Sequence, residues 1–233
     1  MAFFFKLFPE IIQDGRLFIA EPPLYRVDAK KNPFVINKED YVNRYVQAAS
    51  KDYKLGYKKS NDDIPTFVDK NELAEFLTAT SSYVDDINML HDHYKINERL
   101  LELIIEEFAL LNYDPSTMKP VDVLEKVNIQ HLMDRIGTEF PEVYYDDNDK
   151  LIKGVIDGKY QLTELSEQLV RKTSPLISLI REWGTDDDST LVLRDNKTGT
   201  EHNLSMLGVL KILKKYQPNI LHRFKGLNIL RSY

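Results

Sequence analysis

The apolar positions of the chain change period several times, and each change marks an element. Phe3, Phe4, Leu7 and Phe8 have the apolar density of a helix, carried on through Pro9–Gln13 and stopped by Gly15. Leu17–Glu21 comes next as a short strand, and Pro22-Pro23 then blocks ladder bonding and turns the chain. Leu24–Val27 and Phe34–Ile36 flank the polar turn Asp28–Pro33 in a hairpin pattern. Asn37, with Asp40 three residues on, signals an N-cap for a helix from Lys38 to about Ala49. The polar run Lys51–Asp62 reads as a boundary loop.

Helical spacing then takes over. Leu73, Phe76, Leu77, Val84, Ile87 and Leu90 keep it, and Leu100–Leu111 is apolar on nearly all sides, as a central helix should be. Val121–Ile136 is a third helix, opened by Pro120 and closed by Gly137. Strands return at Glu142–Tyr145 and Leu151–Ile156, split by the turn-rich Asp146–Asp149, and Asp157-Gly158 is a two-residue hairpin turn into Lys159–Leu162. Thr163 is placed to cap a helix to about Trp183, bent or broken near Pro175. Thr190–Arg194 and Thr200–Asn203 make another hairpin. Ser205 caps a basic helix through Tyr216, Pro218 ends it, and Asn219–Phe224 alternates like a strand. Helices and hairpins are segregated without an internal repeat, so the fold class is α+β.

Composition narrows the function classes. With 233 residues, 42% of them hydrophobic, and a mean hydropathy of -0.39, the chain can bury a core and is neither disordered nor fibrous. No stretch approaches the ~18 apolar residues of a membrane span. The opening Met1–Phe8 lacks a basic segment before its apolar run, and Pro9-Glu10 cuts it short, which argues against a signal peptide. Zero cysteines exclude disulfides, thiol catalysis and thiolate-held metals, and fit a cytoplasmic protein.

The net charge of -6 is unevenly spread. Residues 1–50 have a net of +1, residues 51–202 carry 18 basic and 31 acidic side chains for -13, and residues 203–233 carry six basic and no acidic ones. Any contact with a polyanion is therefore confined to the end of the chain, and a solvated basic surface accounts for the same charge equally well.

No motif marks a self-contained active site. His91 and His93 flank Asp92, but i and i+2 side chains diverge on a helix, so they read as helix-end residues. Asp146, Asp147 and Asp149 lack the Gly and closing Glu of a calcium loop, and Asp186–Asp188 lacks the spacing of a magnesium motif. Neither a catalytic nor a metal residue is assigned.

The ends are more specific. Residues 3–27 read F-F-F-K-L-F-P-E-I-I-Q-D-G-R-L-F-I-A-E-P-P-L-Y-R-V, and residues 222–227 read H-R-F-K-G-L. The first resembles the segment that closes the TOPRIM domain in bacterial and phage type IIA topoisomerase B subunits (gyrase B, topoisomerase IV B). Its pattern is an aromatic run, P-E-[LI]-[IV]-x-x-G, an aliphatic strand, P-P-L-Y and a basic residue. The second resembles that family's Q-R-Y-K-G-L-G-E-M box, which returns the chain to TOPRIM. Asn228 replaces the second Gly of the box, and Ile229–Tyr233 stands in place of its E-M and the family residues beyond. About 195 residues separate Val27 from Arg223, as in gyrase B subunits with a large extra domain before the box.

The resemblance implies three parts: residues 1–50 as the end of TOPRIM and its exit hairpin, 51–203 as an acidic α+β insert, and 204–233 as the returning basic helix and strand. It implies a fragment of an ATP-dependent, magnesium-assisted isomerase that passes one duplex through another, with double-stranded DNA, the A subunit and the rest of the B subunit as partners. The magnesium carboxylates and the ATPase domain are expected upstream of Met1, so this chain alone should bind neither cofactor and be inactive. The residues expected to contact DNA are Arg223, Lys225 and Gly226 with Lys211, Lys214 and Lys215. On a strand Arg223 and Lys225 share a face, and Gly226 lets a phosphate approach the backbone. The plainer alternative is that Lys225 pairs with an acidic residue of the fold. The rival functions are a stand-alone acidic interaction or DNA-mimic protein regulating a topoisomerase, and a plain DNA-binding module.

Overall fold

The structure, a computed structural model, describes Glu10 and residues 23–59, 64–184 and 189–224. The helix expected to end at Gly15, the strand Leu17–Glu21, Asp186–Asp188, and the box residues Lys225, Gly226 and Leu227 lie outside the described residues. The architecture is α+β, with antiparallel sheets beside helices. It divides into two compact units, Met1–Tyr45 with Pro218–Tyr233, and Val46–Gln217. No described helix is long and apolar enough to cross a membrane.

In the first unit, β1 (Tyr25–Val27) lies between β2 (Phe34–Val35) and β10 (Ile220–Arg223), all antiparallel. Val27 and Val35 are buried. The turn between β1 and β2 is gathered by Arg44, whose guanidinium donates to the carbonyls of Asn32 and Phe34 and to the Asp40 carboxylate. That contact holds the Asp40 carboxyl below the usual range. Asp40 N–H in turn donates to Asn37 Oδ1 at 2.8 Å, the expected cap of α1 (Lys38–Asp52), whose residues divide between the units at Tyr45 and Val46.

The second unit holds a four-stranded sheet in the order β4 (Thr66–Phe67), β3 (Tyr53–Lys59), β8 (Ser189–Asp195), β9 (Glu201–Leu204). Strand β3 corrects the boundary loop expected over Lys51–Asp62. Its seven residues pair in register with β8, burying Leu55 beside Val192 and Leu193. The helices are α2 (Lys70–Ala79), α3 (Tyr83–Tyr94), α4 (Glu98–Leu110), α5 (Pro120–Lys126), α6 (Ile129–Glu139), α7 (Glu167–Trp183) and α8 (Met206–Lys214). Helix α4 is central, packing against α3, α6 and α7 with Leu100, Leu101, Ile104, Ile105 and Phe108 fully buried.

Two single helices of the sequence reading are pairs. Residues 73–90 break between α2 and α3, where the Thr80 N–H and hydroxyl both bond Phe76 O and end the first helix. Residues 121–136 break at Val127-Asn128, because Asn128 Oδ1 accepts from His131 N–H and caps a new helix, which runs past Gly137 to Glu139. Thr163 is a buried residue of β7 (Lys159–Glu164), not a cap; Ser166 caps α7. Pro175 sits inside α7 without breaking it, held by burial of Thr173, Leu176 and Ile177 around it. Helix α8 packs on α3, β8 and β9 within the Val46–Gln217 unit.

A second antiparallel sheet of this unit is a meander of β5 (Tyr144–Asp146), β6 (Leu151–Ile156) and β7. Asp157 (φ 51) and Gly158 (φ 73) form the tight turn between β6 and β7.

Candidate nucleic-acid interface

The L-Y-R and H-R-F motifs form neighbouring strands. Tyr25 faces Arg223 and Arg26 faces His222, while Phe224 N–H donates to Leu24 O (3.2 Å) and Asp28 N–H to Asn219 O (2.9 Å). Residues paired in this way share a face of the sheet. On one face the Arg223 guanidinium lies 5.7 Å over the Tyr25 ring, which meets Tyr41 edge-on at 5.6 Å. The Tyr41 hydroxyl donates to Pro218 O at 3.2 Å, tying the returning segment to α1. On the other face stand Arg26, His222, Phe34 and Phe224, the last two with ring centroids 6.2 Å apart.

Arg26, His222 and Arg223 are exposed, as are Lys30 and Lys31 in the turn. A guanidinium covered by a ring keeps its edge N–H groups for an oxyanion, the geometry that suits a phosphate. The sequence alone does not single out Arg26, although it ends the P-P-L-Y-R motif. Its place opposite His222 becomes visible only once the strands pair.

The lysines of the basic helix have partners inside the acidic unit. Lys211 pairs with Glu98 and Lys214 with Asp85 (2.5 Å). Lys215 stands 5.0 Å from the ring centroids of both Tyr53 and Tyr216. Tyr216 donates from its hydroxyl to Asp52 at 2.7 Å, and Lys197 reaches the same carboxylate at 2.9 Å. These two contacts, Lys197 first, hold the Asp52 carboxyl below its ordinary range. Both ends of the Val46–Gln217 unit are thereby fastened to one another.

A second polar site is a charge network on α4. Glu102, fully buried, accepts from Leu207 N–H (2.7 Å) at the first turn of α8 and from Arg99 (2.7 Å). Burial, reinforced by Glu106, pushes the Glu102 carboxyl up. Arg99 also binds Glu106 (3.0 Å) and Glu139 (2.7 Å), Arg135 binds Glu106, and His131 meets Glu107 at 2.7 Å. The network lines a cleft of about 430 Å³ whose other wall includes Thr190, Asn203 and Ser205. Cations and carboxylates here satisfy one another, which is the chemistry of a packed support rather than of a reacting centre. Among the described residues no group of three or more His, Asp or Glu is placed to hold a metal ion. His91 Nδ1 lies 2.6 Å from Ile96 O at the end of α3, and His93 packs edge-on against Tyr94.

No known protein-family profile matches the chain. The B subunit of DNA topoisomerase 4 from Rickettsia bellii (strain RML369-C) is 35% identical to it over 54 residues, which are 23% of this chain and 8% of that protein. The matched part therefore spans less than a tenth of the relative's length. Over that short stretch the chain is similar to a topoisomerase 4 B subunit.

Proposed function

We propose that the chain is part of the B subunit of an ATP-dependent type IIA DNA topoisomerase and contributes to its DNA breakage–reunion core. The observation that carries this reading is the pairing of L-Y-R with H-R-F around a self-contained Val46–Gln217 unit. A TOPRIM tail interrupted by an inserted domain would have that layout, and the match to a topoisomerase 4 B subunit points the same way. In this reading the first unit is the TOPRIM tail and its return, and the second is the insert. Double-stranded DNA meets the Arg223, Lys225 and Gly226 segment, with Lys211, Lys214 and Lys215 as weaker contributors because acidic or aromatic groups already hold them. Magnesium and ATP belong to other segments of the enzyme, and the A subunit supplies the strand-cutting tyrosine.

The test is reconstitution. The remaining B-subunit segments and the A subunit from the same genome are mixed with and without this chain, and plasmid relaxation and decatenation are monitored with ATP and magnesium. Activity that requires the chain is expected. Full activity without it, or ATP hydrolysis or DNA cleavage by the chain alone, would overturn the reading. A regulatory DNA-mimic is the second reading, favoured by the 21 basic against 31 acidic residues of the Val46–Gln217 unit. Inhibition of a complete topoisomerase by added chain would favour it.

A further inference from the structure

An antiparallel sheet with one face on the core ordinarily keeps its other face polar. The β5–β6–β7 sheet does not. Ile152, Ile156, Gln161 and Thr163 point inward and are buried. The outward face carries Tyr144 (54% exposed), Val155 (39%), Tyr160 (64%) and Leu162 (57%). Cross-strand register places these together: Val155 lies opposite Tyr160, and Lys153 stands between Tyr144 and Leu162. The Lys153 ammonium is paired with Asp146 (2.7 Å) and Asp149, and with its side chain only 13% exposed it adds no free charge to the patch. The surround is acidic. Residues 142–164 hold six carboxylates (Glu142, Asp146, Asp147, Asp149, Asp157, Glu164) against Lys150, Lys153 and Lys159.

We infer that this face is a docking surface for a polypeptide that presents apolar side chains inside a ring of lysine or arginine. A contiguous apolar patch rimmed by charge marks an interaction site, and the sign of the rim selects the partner. A second copy would set carboxylates against carboxylates, and nucleic acid would be repelled by the same rim.

The probe is a synthetic peptide of alternating lysine and leucine. It is compared with the same peptide carrying glutamate for lysine and with oligolysine of equal charge. The full chain is labelled with fluorotyrosine, and fluorine NMR monitors Tyr144 and Tyr160. The lysine–leucine peptide is expected to shift both signals and to bind at least about 10-fold more tightly than oligolysine. Tyr160→Ser and Leu162→Ser are each expected to weaken it about 10-fold without changing the melting curve, since both side chains are exposed. Val155→Lys should weaken it too, through the charge it adds. Equal binding of oligolysine, no binding, shifts confined to other tyrosines, or retention of affinity in these variants would overturn the inference. So would sedimentation showing a dimer lost in Leu162→Ser, or duplex DNA shifting Tyr160.

Discussion

Arg223 stands across from Tyr25 in adjacent antiparallel strands, its guanidinium 5.7 Å over the ring, although about 197 residues separate them in sequence. The relationship makes β1 and β10 one structure and leaves Val46–Gln217 to fold as a unit between them. It is open to a clean chemical test because the chain has no cysteine. Residues directly opposite in an antiparallel pair have Cα atoms about 4.5–5.5 Å apart, within the span a disulfide bridges. Tyr25→Cys with Arg223→Cys should cross-link under mild oxidation, whereas Tyr25→Cys with His222→Cys, on opposite faces, should not. Non-reducing electrophoresis reads the difference, and equal cross-linking of both pairs would contradict the register.

Two carboxylates should give opposite pH slopes. Asp52 is held below its ordinary 3.8 by Lys197 and Tyr216, so its stabilising effect is present above that pH and lost as pH falls through the folded value. Glu102 is pushed above its ordinary 4.5 by burial, so it ionises more readily in the unfolded chain. Its contribution is full below pH 4.5 and is lost as pH rises through the folded value. Urea unfolding from acid to neutral pH should show Asp52→Asn losing the acid-side drop and Glu102→Gln losing the decline above 4.5.

Gly154 sits mid-strand in β6 at φ 153, and a Cβ there would stand 2.6 Å from Val143 Cα and against the Glu142 carbonyl. Neither neighbour is a flexible side-chain end. Gly154→Ala should cost roughly 3 kcal/mol from strain and overpacking, read as a lower denaturant midpoint. Gly158→Ala, at φ 73 with open space around it, should cost less, about 1 kcal/mol.

Lys211 and Lys214 already face Glu98 and Asp85. Replacing both with alanine should leave duplex DNA affinity within about twofold, because cations neutralised in the fold release few counterions. A large loss of affinity, measured by fluorescence anisotropy, would place α8 in the interface.

Local signals are legible in the sequence and long-range ones are not. Asn37 and Asp40 announce their cap, the apolar run 100–111 its buried helix, and Asp157-Gly158 its hairpin, because each acts within a few residues. Strand β3 escapes a local reading because Y-K-L-G-Y-K-K has one strong aliphatic residue and takes its order from β8 far along the chain. The α2–α3 break has neither Gly nor Pro to mark it. At the candidate interface Arg223 is legible from its motif, whereas Arg26 needs the strand pairing. The partners of Lys211 and Lys214 come from helices more than a hundred residues earlier, so regional charge cannot reveal them.

The most direct measurement is duplex DNA binding across a salt series, comparing the wild-type chain with Arg223→Ala/Lys225→Ala. Salt-sensitive binding is expected, with the slope of log K against log salt shallower by about 1.8 in the double variant, the loss of two phosphate contacts. No binding at low salt, or an unchanged slope, would contradict a DNA-facing role for the returning strand.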